Sequence, residues 1–175
     1  MEEKSVSLWK SSVSYGLYLG IALILVSVAY YATGNTFSKS AQWVTYGVMI
    51  AGVIIAQLSY RKALGDEMNY GQALGLGVLT MVFASILTGF FTYLLYAVID
   101  PSLQEQMRLQ MEEQLVRQGN VPEEQIDMAV EMASKFQKPA IMFIMNIFGG
   151  AFIGLVISLI TSIFTKKAPK EDFSE

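Results

Sequence analysis

The chain has no cysteine and no histidine in its 175 residues. Without thiols or imidazoles it can form no disulfide and no thiolate nucleophile. The commonest zinc, haem and iron–sulfur ligand sets are also excluded. Charge is scarce as well: 15% of the residues are charged and 53% are hydrophobic, a balance outside the range usual for soluble domains. The solvent implied is lipid. The net charge of −3 is small and the basic residues are scattered, so no nucleic-acid partner is expected. No metal or cofactor is expected either.

What is present is long apolar sequence. A span needs about twenty apolar residues at 1.5 Å each to cross a hydrocarbon core of roughly 30 Å. Four stretches qualify, at about residues 13–32, 41–58, 73–99 and 140–164. None carries a charge or a polar stripe, so buried helices of a soluble bundle are disfavoured. Trp43 and Tyr46 at one end of the second stretch, and Tyr60 past the other, are expected at headgroup depth. Lys4 and Lys10 before the first stretch resemble the start of a secretory signal. Its length, the acids Glu2 and Glu3 and the poor cleavage site at Ala29-Tyr30-Tyr31-Ala32 favour an uncleaved span.

Basic residues set the expected orientation. Lys4, Lys10, Arg61, Lys62, Lys166, Lys167 and Lys170 collect on one side if both termini and the second loop share it, whereas the other short loop has only Lys39. The crowded side is expected to be cytoplasmic. Residues 100–139, with eight acids and the remaining basic residues Arg108, Arg117, Lys135 and Lys138, then fall outside the cytoplasm, in the periplasm of a two-membrane bacterium.

That segment has the pattern of a helical hairpin. Asp100-Pro101 supplies an N-cap and a proline at the first helical position; Leu103, Met107, Met111 and Leu115 follow at i, i+4, and Gly119-Asn120 ends the run. Val121-Pro122-Glu123-Glu124 opens a second helix with an apolar row of Ile126, Ala129, Val130, Ala133 and Phe136. Pro139 marks a boundary or kink at the fourth span. Methionines 107, 111, 128 and 132 give an adaptable apolar surface that a partner-binding or lipid-touching arm could use, but mutual burial of the two helices is the favoured reading. The acidic polar face disfavours a helix drawn to anionic lipid. The fold class expected is all-α: a single membrane domain over 1–175, a four-span transmembrane helical bundle with an extracytoplasmic amphipathic hairpin between spans three and four.

Within the spans, Gly16-x-x-x-Gly20, Gly52-x-x-x-Ala56, Ser85-x-x-x-Gly89 and Gly150-x-x-x-Gly154 place small residues one turn apart, which admits close helix packing or contact with another membrane protein or a second copy. No ionisable group lies within a span, which disfavours a proton-coupled transporter. Asn146, Gln57, Thr80, Thr88 and Thr92 are read as interhelical or back-bonded hydrogen bonds. For catalysis the one local pair, Ser162 with Lys166, is a helix end running into a snorkelling lysine, and Asp66-Glu67 has no metal-ligand pattern. No enzyme activity is expected.

Several marks coincide: Tyr60-Arg61-Lys62; Asn69-Tyr70-Gly71-Gln72-Ala73-Leu74-Gly75-Leu76-Gly77; a span ending Thr92-Tyr93-x3-Tyr96-x3-Asp100-Pro101; and Gly119 before Pro122-Glu123-Glu124-Gln125-Ile126. In these the chain resembles the bacterial integral membrane protein family known as domain of unknown function 4199, over nearly its whole length. The resemblance implies four spans in a bacterial inner membrane and supplies no activity, substrate or catalytic residue. Physically, Tyr70 is read as an interfacial anchor, with Gly71 and Gly75 admitting a neighbouring helix. The alternative is that Gln72, with Arg61 and Asn69, binds a lipid headgroup or a partner's loop. The function expected is a non-catalytic accessory or scaffold subunit of an envelope complex, in contact with membrane lipid. The alternative is a small oligomeric transporter, channel or lipid-handling protein.

Overall fold

The computed structural model describes residues 7–118 and 122–167. Glu2, Glu3, Lys4, Gly119, Asn120, Val121 and Lys170, used in the readings above, lie outside them. Among the described residues six α-helices follow one another: α1 (Leu8–Ala32), α2 (Lys39–Ala63), α3 (Tyr70–Leu94), α4 (Ser102–Gln118), α5 (Glu123–Phe136) and α6 (Pro139–Thr165). A π-helical turn, Leu95–Ile99, extends α3. Among the described residues there is no strand, only an isolated antiparallel bridge between Met68 and Lys167. Four helices, α1, α2, α3 with its extension, and α6, are long and apolar enough to cross a membrane. They mark a membrane protein.

Local chemistry sets the helix ends. Ser38 Oγ accepts from the Ala41 amide at 3.2 Å and caps α2. At α3 the cap is reciprocal: Asn69 Oδ1 accepts from the Gln72 amide at 2.8 Å, and Gln72 Oε1 accepts from the Asn69 amide at 3.0 Å. The Asp100 carboxylate accepts from the Ser102 amide at 3.1 Å, so α4 starts just past Pro101. Pro139 occupies the first position of α6, where its missing N–H costs nothing. Each long helix thus begins before the uncharged run inside it.

The chain forms two compact units. In the first, the described residues up to Thr88 pack with those from Ile147 onward. There α3 is the hub. A side chain at Gly16 of α1 would come within 2.5 Å of Phe83 Cβ and 2.9 Å of the Thr80 carbonyl, and one at Gly20 would meet Leu87. On α6, Gly150 lies against Ser85 and Gly154 against Met81. The Leu19 side chain seats on Gly52 between α1 and α2. Leu19, Leu23, Val53, Met81 and Ala84 form one buried apolar cluster; Ala56, Tyr60, Met68, Ala73 and Leu76 form another. Tyr60, near the end of α2, is buried in that second cluster. Trp43 and Tyr46 meet edge to face near the start of α2.

The second unit covers residues 89–146. Helix α4 packs on α5, burying Leu103, Ile126 and Val130. Gln104 Nε2 donates to the Tyr96 carbonyl at 2.9 Å, fastening α4 to the π-helical turn. Surface pairs Arg108–Glu105, Arg117–Glu113 and Lys135–Glu131 run along the two helices. Phe136 does not join Ile126 and Val130 in this core. It is exposed, as are Met128 and Met132. At about 100° per residue, Phe136 stands roughly 100° from the midpoint of Ile126 and Val130.

Candidate functional site

The most organised chemistry lies where α2, α3 and α6 meet at one end of the first unit. The last turns of α6 present Ser158, Thr161, Ser162 and Thr165, all buried, opposite Gln57 of α2, which is fully buried. Gln57 Nε2 donates to the Ala73 carbonyl at 3.0 Å and to Ser162 Oγ at 3.1 Å. Its Oε1 accepts from Thr165 Oγ1 at 3.1 Å, and that hydroxyl also reaches the Thr161 carbonyl at 3.0 Å. One amide therefore joins three helices, with its donors and acceptor used. Gly77 makes room: a Cβ there would come within 2.2 Å of Ser158 Oγ and 3.0 Å of Gln57 Nε2. The hydroxyls of Thr80, Ser158 and Thr161 are buried without a hydrogen-bond partner.

Just outside this cluster an ionic clamp closes the helix ends. The turn after α2 passes through Gly65 and Asp66, both at positive φ, 81° and 71°. This aims the Asp66 carboxylate at Arg61 Nε, 3.0 Å away, and at the Lys167 ammonium. Arg61 Nη1 donates to the Thr165 carbonyl at 3.0 Å. Met68 and Lys167 exchange backbone hydrogen bonds of 2.9 and 2.8 Å. The hydrogen bond from Lys167, reinforced by the charge of Arg61, holds the Asp66 carboxyl below the usual carboxylate range.

The residues singled out in the sequence fall into different settings. Gly16, Gly20, Gly150 and Gly154 lie at close helix contacts in the first unit. Gly71 and Gly75 do not: a Cβ at either would meet only ordinary van der Waals contacts, with Asn69 Oδ1 at 3.4 Å and Leu8 Cδ1 at 3.9 Å. Tyr70 donates its hydroxyl to the Leu159 carbonyl at 3.2 Å, so its ring is tied to α6. Gln72 and Asn69 spend their side chains on the reciprocal cap of α3, and Arg61 on the clamp. Asn146 is half-buried in the second unit, near Gly89. Ser162 is buried against Gln57 while Lys166 is exposed, so the serine–lysine pair is not presented as a catalytic dyad. Among the described residues no group of three or more acidic side chains could hold a metal ion.

The hydroxyl ladder on α6 was the part missed in the sequence. Its signal is there: Gly150, Gly154, Ser158 and Ser162 continue one small-residue stripe at i, i+4.

A second feature of the first unit is an apolar groove of about 310 Å³ between α1 and α2. Tyr15, Tyr18, Leu19 and Ala22 line one side, and Val48, Ala51, Gly52 and Ile55 the other. It opens on the outer surface of the helices, where Tyr18, Ala51 and Ile55 are exposed.

A family model described as Protein of unknown function (DUF4199) matches residues 14–167. No curated protein and no solved structure matches the chain.

Proposed function

We propose, from the premise that the chain belongs to the DUF4199 family, that it is a non-catalytic accessory or scaffold subunit which crosses a bacterial inner membrane four times and holds a partner's membrane helix. The observation that carries this reading is the groove between α1 and α2. Between helices in lipid the driving force is close packing rather than the hydrophobic effect. A trough with the small residues Ala22 and Ala51 among its lining lets a third backbone approach, and Tyr15 and Tyr18 supply broad contact area around it. The polar groups of the first unit support the same reading, because Gln57, Arg61, Asp66, Asn69 and Gln72 are spent on joining and capping helices.

The proposed orientation puts both termini and the α2–α3 turn in the cytoplasm and the α4–α5 pair outside it, as a periplasmic hairpin. Its support is electrostatic: Arg61, Lys62, Lys166 and Lys167 belong to segments that the Met68–Lys167 bridge joins. Basic residues flanking spans stay on the cytoplasmic side.

The test is a mild-detergent affinity purification of the full-length protein from its native membrane, beside the groove-filling variant Ala51→Phe. The expected result is an unrelated membrane protein at fixed ratio with the wild type and its loss with Ala51→Phe, at unchanged melting temperature. Elution of the chain alone, or with copies of itself only, would sink the accessory role. The oligomeric transporter or lipid-handling alternative would then be tested in liposomes.

A further inference from the structure

Helix α5 carries more apolar surface than α4 covers. On a helical projection at about 100° per residue, Ala129, Ile126, Ala133 and Val130 fill an arc of roughly 100°. Ile126 and Val130 are buried and the two alanines are half-buried. Met128, Met132 and Phe136 fill the adjoining arc of about 80°, one turn apart from each other. They are 68%, 63% and 58% exposed. Asp127 and Glu131 occupy the remaining face together with Lys135, which pairs with Glu131 at 3.6 Å. Such a helix has one apolar face too wide for its protein neighbour, and the uncovered half is a continuous row.

The position of the row along the chain says what medium it meets. Phe136 ends α5 three residues before Pro139, the first residue of α6. Helix α6 has 27 residues with no charge from Pro139 to Thr165, and Lys138 directly precedes it, so the start of α6 is expected at the membrane surface. The uncovered row therefore starts at the membrane surface. In the same unit, α6 also exposes the apolar side chains Ile144 and Met145. Methionine side chains suit a disordered lipid boundary because they are unbranched and adaptable. Lys135 borders the row and can extend its ammonium toward phosphate.

We propose that α5 lies on the membrane as an interfacial helix, with Met128, Met132 and Phe136 seated at the headgroup–acyl boundary of the leaflet that α6 enters. Its acidic face is turned to water, so contact is made through apolar burial rather than attraction to anionic lipid. This requires only that α6 crosses the membrane, and it stands whether or not the groove between α1 and α2 holds a partner.

A chain without cysteine allows a direct test. Single substitutions Asp127→Cys, Met128→Cys, Glu131→Cys, Met132→Cys and Phe136→Cys are introduced into the full-length protein. Each is nitroxide-labelled and reconstituted in phosphatidylethanolamine–phosphatidylglycerol vesicles. Power saturation then compares collision with oxygen, which concentrates in lipid, and with a water-soluble nickel chelate. Oxygen is expected to dominate at 128, 132 and 136 and the nickel chelate at 127 and 131, a reversal that follows the helical period. Equal nickel access at all five positions would overturn the proposal. So would shielding of 132 and 136 from both reagents with spin–spin broadening, which would put a second copy on the row instead of lipid.

Discussion

The two units handle polarity in opposite ways. In the first, polar side chains turn inward: Gln57, Ser162 and Thr165 are buried and bonded to one another between α2 and α6. In the second, charge pairs such as Arg108–Glu105 lie on the surface, and the apolar Met128, Met132 and Phe136 lie there too. A side chain hidden in a bundle whose surroundings are apolar gains by finding polar partners inside. A helix that leaves apolar groups uncovered is matched to something outside itself. The first unit is accordingly read as the load-carrying frame, and the second as the part with surface to spare.

The sharpest way to break that contrast is to disturb the hub. Gly16→Val places side-chain atoms against Phe83 Cβ and the Thr80 carbonyl, neither of which can move without α3. It should cost about 3 kcal/mol, the upper end for overpacking. Gly149→Val, with nothing within 4 Å, should stay within about 0.5 kcal/mol of wild type. Denaturant titration in detergent micelles measures both. Equal effects would mean that helix contact through α3 does not hold the frame.

Next in size is the amide that joins three helices. Gln57→Met keeps the volume and removes the bonds to Ala73, Ser162 and Thr165. The expected loss is about 1–2 kcal/mol by the same titration. A variant as stable as wild type would show that packing alone suffices there.

A smaller, pH-dependent effect belongs to the clamp. The folded-state pKa of Asp66 is lowered, so its contribution is fully present above the unfolded value of about 3.9 and is lost as pH falls through the lowered folded value. Asp66→Asn should reduce the melting temperature slightly at neutral pH and flatten its decline in acid. A decline as steep in the variant as in wild type would assign acid sensitivity elsewhere.

The smallest effect is expected in the second unit. Met132→Gln changes a side chain that is largely exposed and should leave stability within about 0.5 kcal/mol. A larger loss would mean that the row is covered in the micelle, by detergent or by protein.

Much of this was legible before any coordinate. Apolar length fixes the four long helices, because about twenty uncharged residues have no other stable use. The start of α6 follows from Pro139, whose chemistry is local, whereas the Asn69–Gln72 cap that starts α3 was not read from the sequence. The α4 and α5 periodicities were likewise readable in residues a turn apart.

The site was less legible. Gln57 and Thr165 are 108 residues apart in the chain, and no local rule pairs them. Gly16 and Gly75 look alike as small residues in apolar runs, yet only Gly16 lies under a neighbouring backbone. Phe136 fits the same apolar period as Val130, yet only Val130 is covered. By itself, then, the sequence determined which segments are helical and which medium suits them, since both depend on composition and short-range bonds. Tertiary structure alone decided which small residues are contacts, which polar groups are partners and which apolar row is left uncovered, because each depends on the neighbour that a distant part of the chain supplies.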